Sequence, residues 1–113
     1  MSQHKNNLDK KLVIVIPYRD RPKQYEIFLF HSKIYFNEDK LDKYLNLKLC
    51  FIEQANDKPF NLGSLNNAGF LINENYLKDG INNFKFEILS NQEIYKNTRN
   101  DALFEIRHIK VNF

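Results

Sequence analysis

The most informative segment of this chain is LVIVIPYRDR, residues 12–21, in which five apolar residues run directly into a polar turn. Four of the five are β-branched, which is typical of a parallel strand buried on both faces. Pro17 is expected to end the strand, because proline cannot donate a hydrogen bond to a neighbouring strand. The segment therefore predicts a buried strand whose carboxyl end leads into a loop with two arginines.

Apolar residues recur after this segment in patterns that predict a helix and a second strand. Pro22 can open a helix at its first turn, and an apolar stripe at helical spacing carries that helix to about Asn37. Residues 47–53 then form a second apolar run. We expect this run to pair in parallel with the first strand, with the helix as the crossover between them.

The second half of the chain predicts another helix and two more strands. Asn61 is the expected N-cap of the helix, and Gly80 is the expected residue just beyond its end. A half-buried strand is predicted where apolar and charged residues alternate, at Phe84, Phe86 and Ile88. Residues 91–101 are polar and predict a loop, and residues 103–113 predict a final strand with Ile109, Val111 and Phe113 on one face.

The order β-α-β-α-β-β predicts an α/β fold in which helices flank a sheet with an antiparallel addition at its C-terminal end. The length of 113 residues allows one domain. We expect residues 1–11 to be a polar tail and residues 12–113 to form that single domain.

Composition and charge exclude several classes of function. Charged residues make up 27% of the chain and the net charge is +3, with the lysines scattered. This charge would attract an anion but does not predict a nucleic-acid surface. No segment reaches the roughly 18 apolar residues of a membrane span, and residues 1–11 contain no signal-peptide core. The chain is therefore expected to be cytoplasmic, with no membrane span and no nucleic-acid partner.

Two arginines follow the first predicted strand at its carboxyl end, where open α/β sheets bind their ligands. Arg19 and Arg21 are two residues apart, so both can point the same way from an extended loop. Their guanidinium groups suit the oxygens of a diphosphate. Tyr18 could lie against a nucleobase or pack below the loop. The alternative interpretation is a surface loop with two solvated arginines.

A second segment of interest is FNLGSLNNAGF, residues 60–70, which opens the second helix. The N-terminus of a helix favours anions. Gly69 costs about 1 kcal/mol in a helix relative to alanine, so we expect close packing against the sheet to be its reason. The alternative interpretation is an ordinary buried amphipathic helix.

The remaining titratable residues form no catalytic constellation. His4, His31 and His108 have no metal-ligand spacing with one another or with Cys50. We expect His31 to be structural, His108 to be solvated or packed on a strand, and Cys50 to be a buried thiol. Asp20, between two arginines, is expected to form an ion pair. We therefore predict no catalytic and no metal-ligating residue in this chain.

Three segments together resemble the N-terminal half of the β-1,4-galactosyltransferase catalytic domain. They are PYRDR at residues 17–21, FIEQA at residues 51–55 and FNLGSLNNAGF at residues 60–70, in the family's order. The resemblance implies a truncated GT-A sheet, which is Rossmann-like, with flanking helices and a C-terminal antiparallel addition. It also implies binding of a UDP-sugar or UDP, through Pro17, Tyr18, Arg19, Arg21 and Phe60.

The chain departs from the family pattern in two respects. Leu62 stands where the family has an arginine, which removes a cation near the nucleotide. The sequence also contains no Asp-x-Asp motif and no tryptophan, so the family's manganese ligand and its Trp-Gly-Gly acceptor segment are missing. Manganese is expected for the complete family domain, but no cofactor is expected in this chain.

The C-terminal part resembles the end of the family's catalytic domain. It begins with DGINNFKFEIL at residue 79 and finishes with a strand similar to the family's last one. This implies that residues 12–77 are the nucleotide-binding half, that residues 79–113 are a C-terminal strand remnant, and that the middle is missing. The expected function is UDP-sugar-dependent glycosyl transfer by lineage, with no activity of this chain alone unless a second chain supplies the missing half. The alternative is a non-catalytic nucleotide-binding or partner-binding remnant.

Overall fold

The computed structural model describes residues 11–37, 46–74, 85–99 and 102–113, which form four strands and two helices. In chain order the elements are β1 (Lys11–Tyr18), α1 (Pro22–Asn37), β2 (Asn46–Gln54), α2 (Leu62–Glu74), β3 (Glu87–Arg99) and β4 (Ala102–Asn112). The predicted α/β order is confirmed. The expected helix end at Gly80 lies outside the described residues.

The four strands form one sheet in the order β1-β2-β4-β3. β1 pairs in parallel with β2, from Lys11 opposite Asn46 to Tyr18 opposite Glu53. β4 is also parallel to β2, whereas β3 pairs antiparallel to β4. The parallel pairing of the first two strands and the antiparallel addition are therefore both confirmed. The sheet is compatible with a Rossmann-like arrangement.

The prediction that the first strand is buried on both faces and ends at Pro17 was wrong in both respects. β1 is an edge strand among the described elements, and residues 13–18 are only half-buried. Pro17 lies inside the strand and is paired opposite Ile52. An edge strand tolerates proline because the missing N–H can be the one that faces away from the sheet.

Each face of the sheet has its own apolar core. Under α1 the fully buried side chains are Leu47, Leu49, Phe51, Phe104 and Ile106, with Tyr25, Leu29 and Phe36 of the helix packed against them. Between α2 and the other face of the sheet, the buried side chains are Cys50, Ile52, Leu65, Ala68, Ile109 and Val111. β2 contributes alternate residues to both cores, so it is the central strand of the fold.

Gly69 is the position at which α2 approaches the sheet most closely. A Cβ atom built there would lie 2.5 Å from Cγ1 of Val15 and 3.2 Å from Cγ1 of Ile52. Contacts of 2.5 Å are not tolerated, so the helix could not keep its position with any larger residue. The predicted packing reason for this glycine is confirmed.

The predicted loop over residues 91–101 was wrong for its described part. One continuous strand, β3, extends from Glu87 to Arg99 along the edge of the sheet. It carries register irregularities at Ile88/Ser90 and at Glu93/Tyr95, which interrupt the alternation of apolar and polar residues that marks a strand. Of the strand predicted at Phe84, Phe86 and Ile88, the first residue lies outside the described residues, and β3 begins at Glu87. Phe86 precedes it and packs against the core under α2.

Candidate functional site

An open pocket of about 510 Å³ lies at the carboxyl end of β1. Its lining residues are Ile16, Pro17, Tyr18, Arg19, Asp20, Arg21, Gln24, Tyr25, Phe28, Phe51 and Phe60. The five residues that the family resemblance singled out, Pro17, Tyr18, Arg19, Arg21 and Phe60, all belong to this set. The fold therefore brings them together, although Phe60 is about forty residues away in the sequence.

Arg19 connects the β1–α1 loop to the loop that carries Phe60. Its Nη1 donates hydrogen bonds to the backbone carbonyl oxygens of Asn56, at 3.2 Å, and of Lys58. Its guanidinium carbon lies 5.6 Å from the centre of the Phe60 ring, which is within cation–π distance. Arg19 thus orders one wall of the pocket, and its other guanidinium N–H groups are not used by these bonds.

Within the described part of the chain, the hydrogen bonds of Arg21 go to residues close to it in sequence. Its Nη1 donates to the backbone carbonyl oxygen of Asp20 at 3.0 Å, and its backbone N–H donates to the hydroxyl of Tyr18 at 3.3 Å. Asp20 adopts a left-handed backbone conformation, with a φ of 57°, which reverses the chain between the two arginines. Within the described residues the Asp20 carboxylate makes no ion pair, so the expected pairing with the arginines was wrong.

Gln54, the last residue of β2, holds the loop that carries Phe60. The residue is only 2% exposed. Its Nε2 donates to Oδ1 of Asn56 at 2.8 Å and to the carbonyl oxygens of Lys58 and Pro59 at 3.0 and 3.2 Å. Its Oε1 accepts from the backbone N–H of Asn61 at 2.9 Å. The position of the segment before α2 is therefore set by the last residue of β2.

The start of α2 agrees with the sequence prediction. Oδ1 of Asn61 accepts a hydrogen bond from the backbone N–H of Ser64 at 3.0 Å, which is the bond of an N-cap. The next residue, Leu62, is 55% exposed. The family arginine at this position would extend into solvent beside the pocket, and leucine places an apolar side chain there instead.

A hydrogen-bonded cluster that sequence reasoning missed lies next to the pocket. Nδ1 of His108 is 2.9 Å from the hydroxyl oxygen of Tyr25, and Nε2 is 2.6 Å from Oε1 of Glu53. The imidazole ring also stacks on Phe51, with ring centres 6.1 Å apart. Burial raises the pKa of Tyr25, and the nearby Tyr18 and Glu53 raise it further. Tyr25 therefore stays protonated around neutral pH.

The strand-packing interpretation of His108 is confirmed, but its partners could not be predicted. Tyr25, Glu53 and His108 come from α1, β2 and β4, and no short motif contains any two of them. Only the pairing of β4 beside β2 brings them together. A pattern of spacing along the chain carries no signal of such a contact.

The residues around the pocket do not fit a manganese site. Asp20 and Asp57 are exposed on separate loops, and Glu53 is hydrogen-bonded to His108. In the part of the chain that the structure describes, no three His, Cys, Asp or Glu side chains are grouped so that they could hold a metal ion. No helix among the described residues is long and apolar enough to cross a membrane.

The described residues form an α/β fold with an open pocket at the carboxyl end of β1, the end of the strands at which open α/β sheets generally bind ligands. Residues 3–100 match the family model of the N-terminal region of glycosyl transferase group 7. Because this match covers most of the chain, the protein belongs to the group 7 glycosyltransferase family, which is that of the β-1,4-galactosyltransferases. The matched region also extends past residue 79, at which the sequence resemblance begins the C-terminal strand remnant. Neither the search of curated proteins nor that of solved structures found a match.

Proposed function

We propose that the pocket at the carboxyl end of β1 binds the uridine diphosphate part of a UDP-sugar. The observation that carries this proposal is the gathering of Pro17, Tyr18, Arg19, Arg21 and Phe60 around one opening. The family pattern in the sequence is sufficient to identify these five residues. Their convergence supports a retained donor site.

The chemistry of the pocket suits the two parts of UDP. Arg21 is exposed, and the hydrogen bond to Asp20 uses only one of its terminal nitrogens. A guanidinium group has five N–H donors in a planar fork that matches phosphate oxygens. The aromatic side chains of Tyr18, Phe28 and Phe60 supply surfaces on which a flat base can stack.

Arg19 has a second role in this proposal. Because its Nη1 is bonded to the carbonyl oxygens of Asn56 and Lys58, it holds Phe60 in place as well as adding positive charge. Replacing Arg19 would therefore disturb the pocket wall together with any contact to phosphate. Arg21 is the better residue for testing the electrostatic contribution, because its side chain makes no long-range hydrogen bond within the described residues.

By lineage the reaction would be glycosyl transfer from a UDP-sugar, and we propose that this chain alone does not catalyse it. Among the residues that the structure describes, none near the pocket group into a metal site, and departure of UDP from a sugar is assisted by charge neutralisation at the diphosphate. A second chain could supply the missing acidic and acceptor segments. The alternative function is a non-catalytic module that binds a nucleotide or a partner. The carboxylates near the pocket favour this alternative, because those in the described residues form no metal site.

The donor site can be tested by titration calorimetry with UDP. We expect the wild type to bind, and Arg21→Ala to bind about tenfold to hundredfold more weakly, because a charged hydrogen bond contributes about 1.5–3 kcal/mol. Lys23→Ala is the matched control: it removes one exposed positive charge from the first turn of α1, outside the pocket lining. No binding by the wild type, or equal losses in the two variants, would count against a UDP site here.

A further inference from the structure

We infer that Tyr25 is the residue that distinguishes uracil from cytosine in this pocket, and that His108 and Glu53 hold its hydroxyl in the required orientation. The inference rests on the proposed function. It adds a specificity-determining residue that none of the matching sequence motifs contains.

The contact with Glu53 determines which nitrogen of the neutral His108 ring carries the hydrogen atom. Nε2 of His108 lies 2.6 Å from a carboxylate oxygen of Glu53, and an ionised carboxylate can only accept. Nε2 must therefore carry a hydrogen atom. In the neutral ring the other nitrogen, Nδ1, is then an acceptor.

The acceptor at Nδ1 of His108 determines the direction of the Tyr25 O–H bond. Its oxygen is 2.9 Å from Nδ1 of His108, so the Tyr25 O–H must donate to that nitrogen. The single hydroxyl proton is then used, and the oxygen has only acceptor capacity left. The raised pKa of Tyr25 keeps the hydroxyl protonated around neutral pH, so beside a neutral imidazole its O–H remains the donor.

A hydroxyl oxygen that can only accept a hydrogen bond recognises a ligand that donates one. Tyr25 lies in the lining of the pocket beside Tyr18 and Phe28, among the aromatic side chains proposed to receive the base. Uracil carries an N–H donor at ring position 3, whereas cytosine has a bare acceptor nitrogen there. A fixed acceptor pairs with the first and repels the lone pair of the second, which leaves a polar group unpaired. A hydroxyl acceptor that faces ring position 3 of the base therefore favours a uracil nucleotide.

The experiment compares UDP with CDP by titration calorimetry at a pH of about 8, at which histidine side chains are generally neutral. We expect the wild type to bind UDP about fivefold to tenfold more tightly than CDP, the factor that corresponds to one neutral hydrogen bond. Tyr25→Phe should bind the two nucleotides nearly equally, chiefly through weaker binding of UDP. Tyr35→Phe is the matched control, because Tyr35 lies on the same helix but is 51% exposed and outside the pocket.

A second variant tests the orienting role and covers the case in which Tyr25→Phe fails to fold. His108→Phe keeps a ring beside Phe51 but removes the acceptor for the Tyr25 hydroxyl, which then becomes able to donate into the pocket. Its preference for UDP should fall as in Tyr25→Phe.

The outcomes separate this inference from the donor-site proposal. Equal binding of UDP and CDP by the wild type, or an unchanged preference in either variant, would overturn the inference while leaving the donor site intact. Absence of binding of both nucleotides would overturn the donor site and the inference together.

Discussion

At the residue scale, Gln54 shows why an amide and not an acid ends β2. Its Nε2 donates to three oxygen atoms, on Asn56, Lys58 and Pro59, while its Oε1 accepts from the Asn61 backbone. A glutamate could make the last of these bonds, but its second oxygen would face three acceptors without a hydrogen atom. The neighbouring Glu53 faces His108 instead, with a carboxylate oxygen 2.6 Å from the imidazole Nε2. The order Glu-Gln at this strand end is therefore fixed by two different environments.

Cys50 provides a prediction for stability at alkaline pH. The thiol is completely buried, and burial raises its pKa above the ordinary value of 9.0. In the unfolded chain the thiol loses its proton near that ordinary value, so the folded state then binds more protons than the unfolded state. The free energy of unfolding should therefore decrease as the pH rises above about 9.

Comparison with Cys50→Ala isolates this contribution. Tyr25, with a raised pKa, and Lys48, with a pKa lowered chiefly by burial, also titrate at high pH but are present in both proteins. Urea unfolding at pH values of about 8 and about 10 should show a larger loss of unfolding free energy in the wild type than in the variant. An equal loss in the two proteins would contradict the assignment to Cys50.

At the element scale, the contact of α2 with the sheet gives a prediction for Gly69→Ala. The added methyl group would lie 2.5 Å from Val15, and overpacking of this kind costs about 1–3 kcal/mol. Alanine regains about 1 kcal/mol of helix propensity. We therefore expect a net loss of about 1–2 kcal/mol in the free energy of unfolding, measured by urea denaturation.

Gly63→Ala is the matched control on the same helix. A Cβ atom there would meet only Oδ1 of Asn61, at 3.7 Å. The unfolding free energy should stay unchanged or rise by up to about 1 kcal/mol. If Gly69→Ala proved as stable as Gly63→Ala, the close approach of α2 to β1 would not be a feature of the protein in solution.

The elements that the sequence predicted well are those with one strong pattern. β2 is buried on both faces, and its apolar residues, Leu47 and residues 49–52, predict a strand. β3 was missed over most of its length because it is an edge strand, polar along its exposed side and irregular at Ile88/Ser90 and Glu93/Tyr95. The prediction that Pro17 ends the first strand was wrong for a related reason. Proline is excluded from a central strand but tolerated in an edge strand, and the sequence does not show that β1 lies at the edge of the sheet.

At the scale of the whole molecule, the candidate site contains residues that the sequence predicted and residues that it did not. The residues that lie in motifs, from Pro17 to Arg21 together with Phe60, were predicted and come together in one pocket. The cluster of Tyr25, Glu53 and His108 was not predicted, because its members meet only through the order of strands in the sheet. Residue contacts that depend on topology become visible only in the folded structure.

The arrangement of acidic side chains bears on activity. The sequence contains no Asp-x-Asp motif. Asp20 and Asp57 lie on different loops near the carboxyl end of the sheet, and Glu53 is already bonded to His108. Divalent metal ions of the manganese type prefer several carboxylate or carbonyl oxygens in one site. The described residues offer no such group.

We therefore predict that this chain alone shows no manganese-dependent galactosyl transfer. Departure of UDP places negative charge on the diphosphate, and Arg19 and Arg21 can offset only part of it, since Arg19 is also bonded to the Phe60 loop. Positioning of the acceptor contributes as much as charge, and the sequence contains no tryptophan for a Trp-Gly-Gly acceptor segment. The measurement is a radiolabelled UDP-galactose assay with manganese and either N-acetylglucosamine or glucose as acceptor, and a product count equal to that of the protein-free control is expected. Turnover that requires manganese and stops on addition of a chelator would show that the prediction is wrong and that the chain contains a metal site.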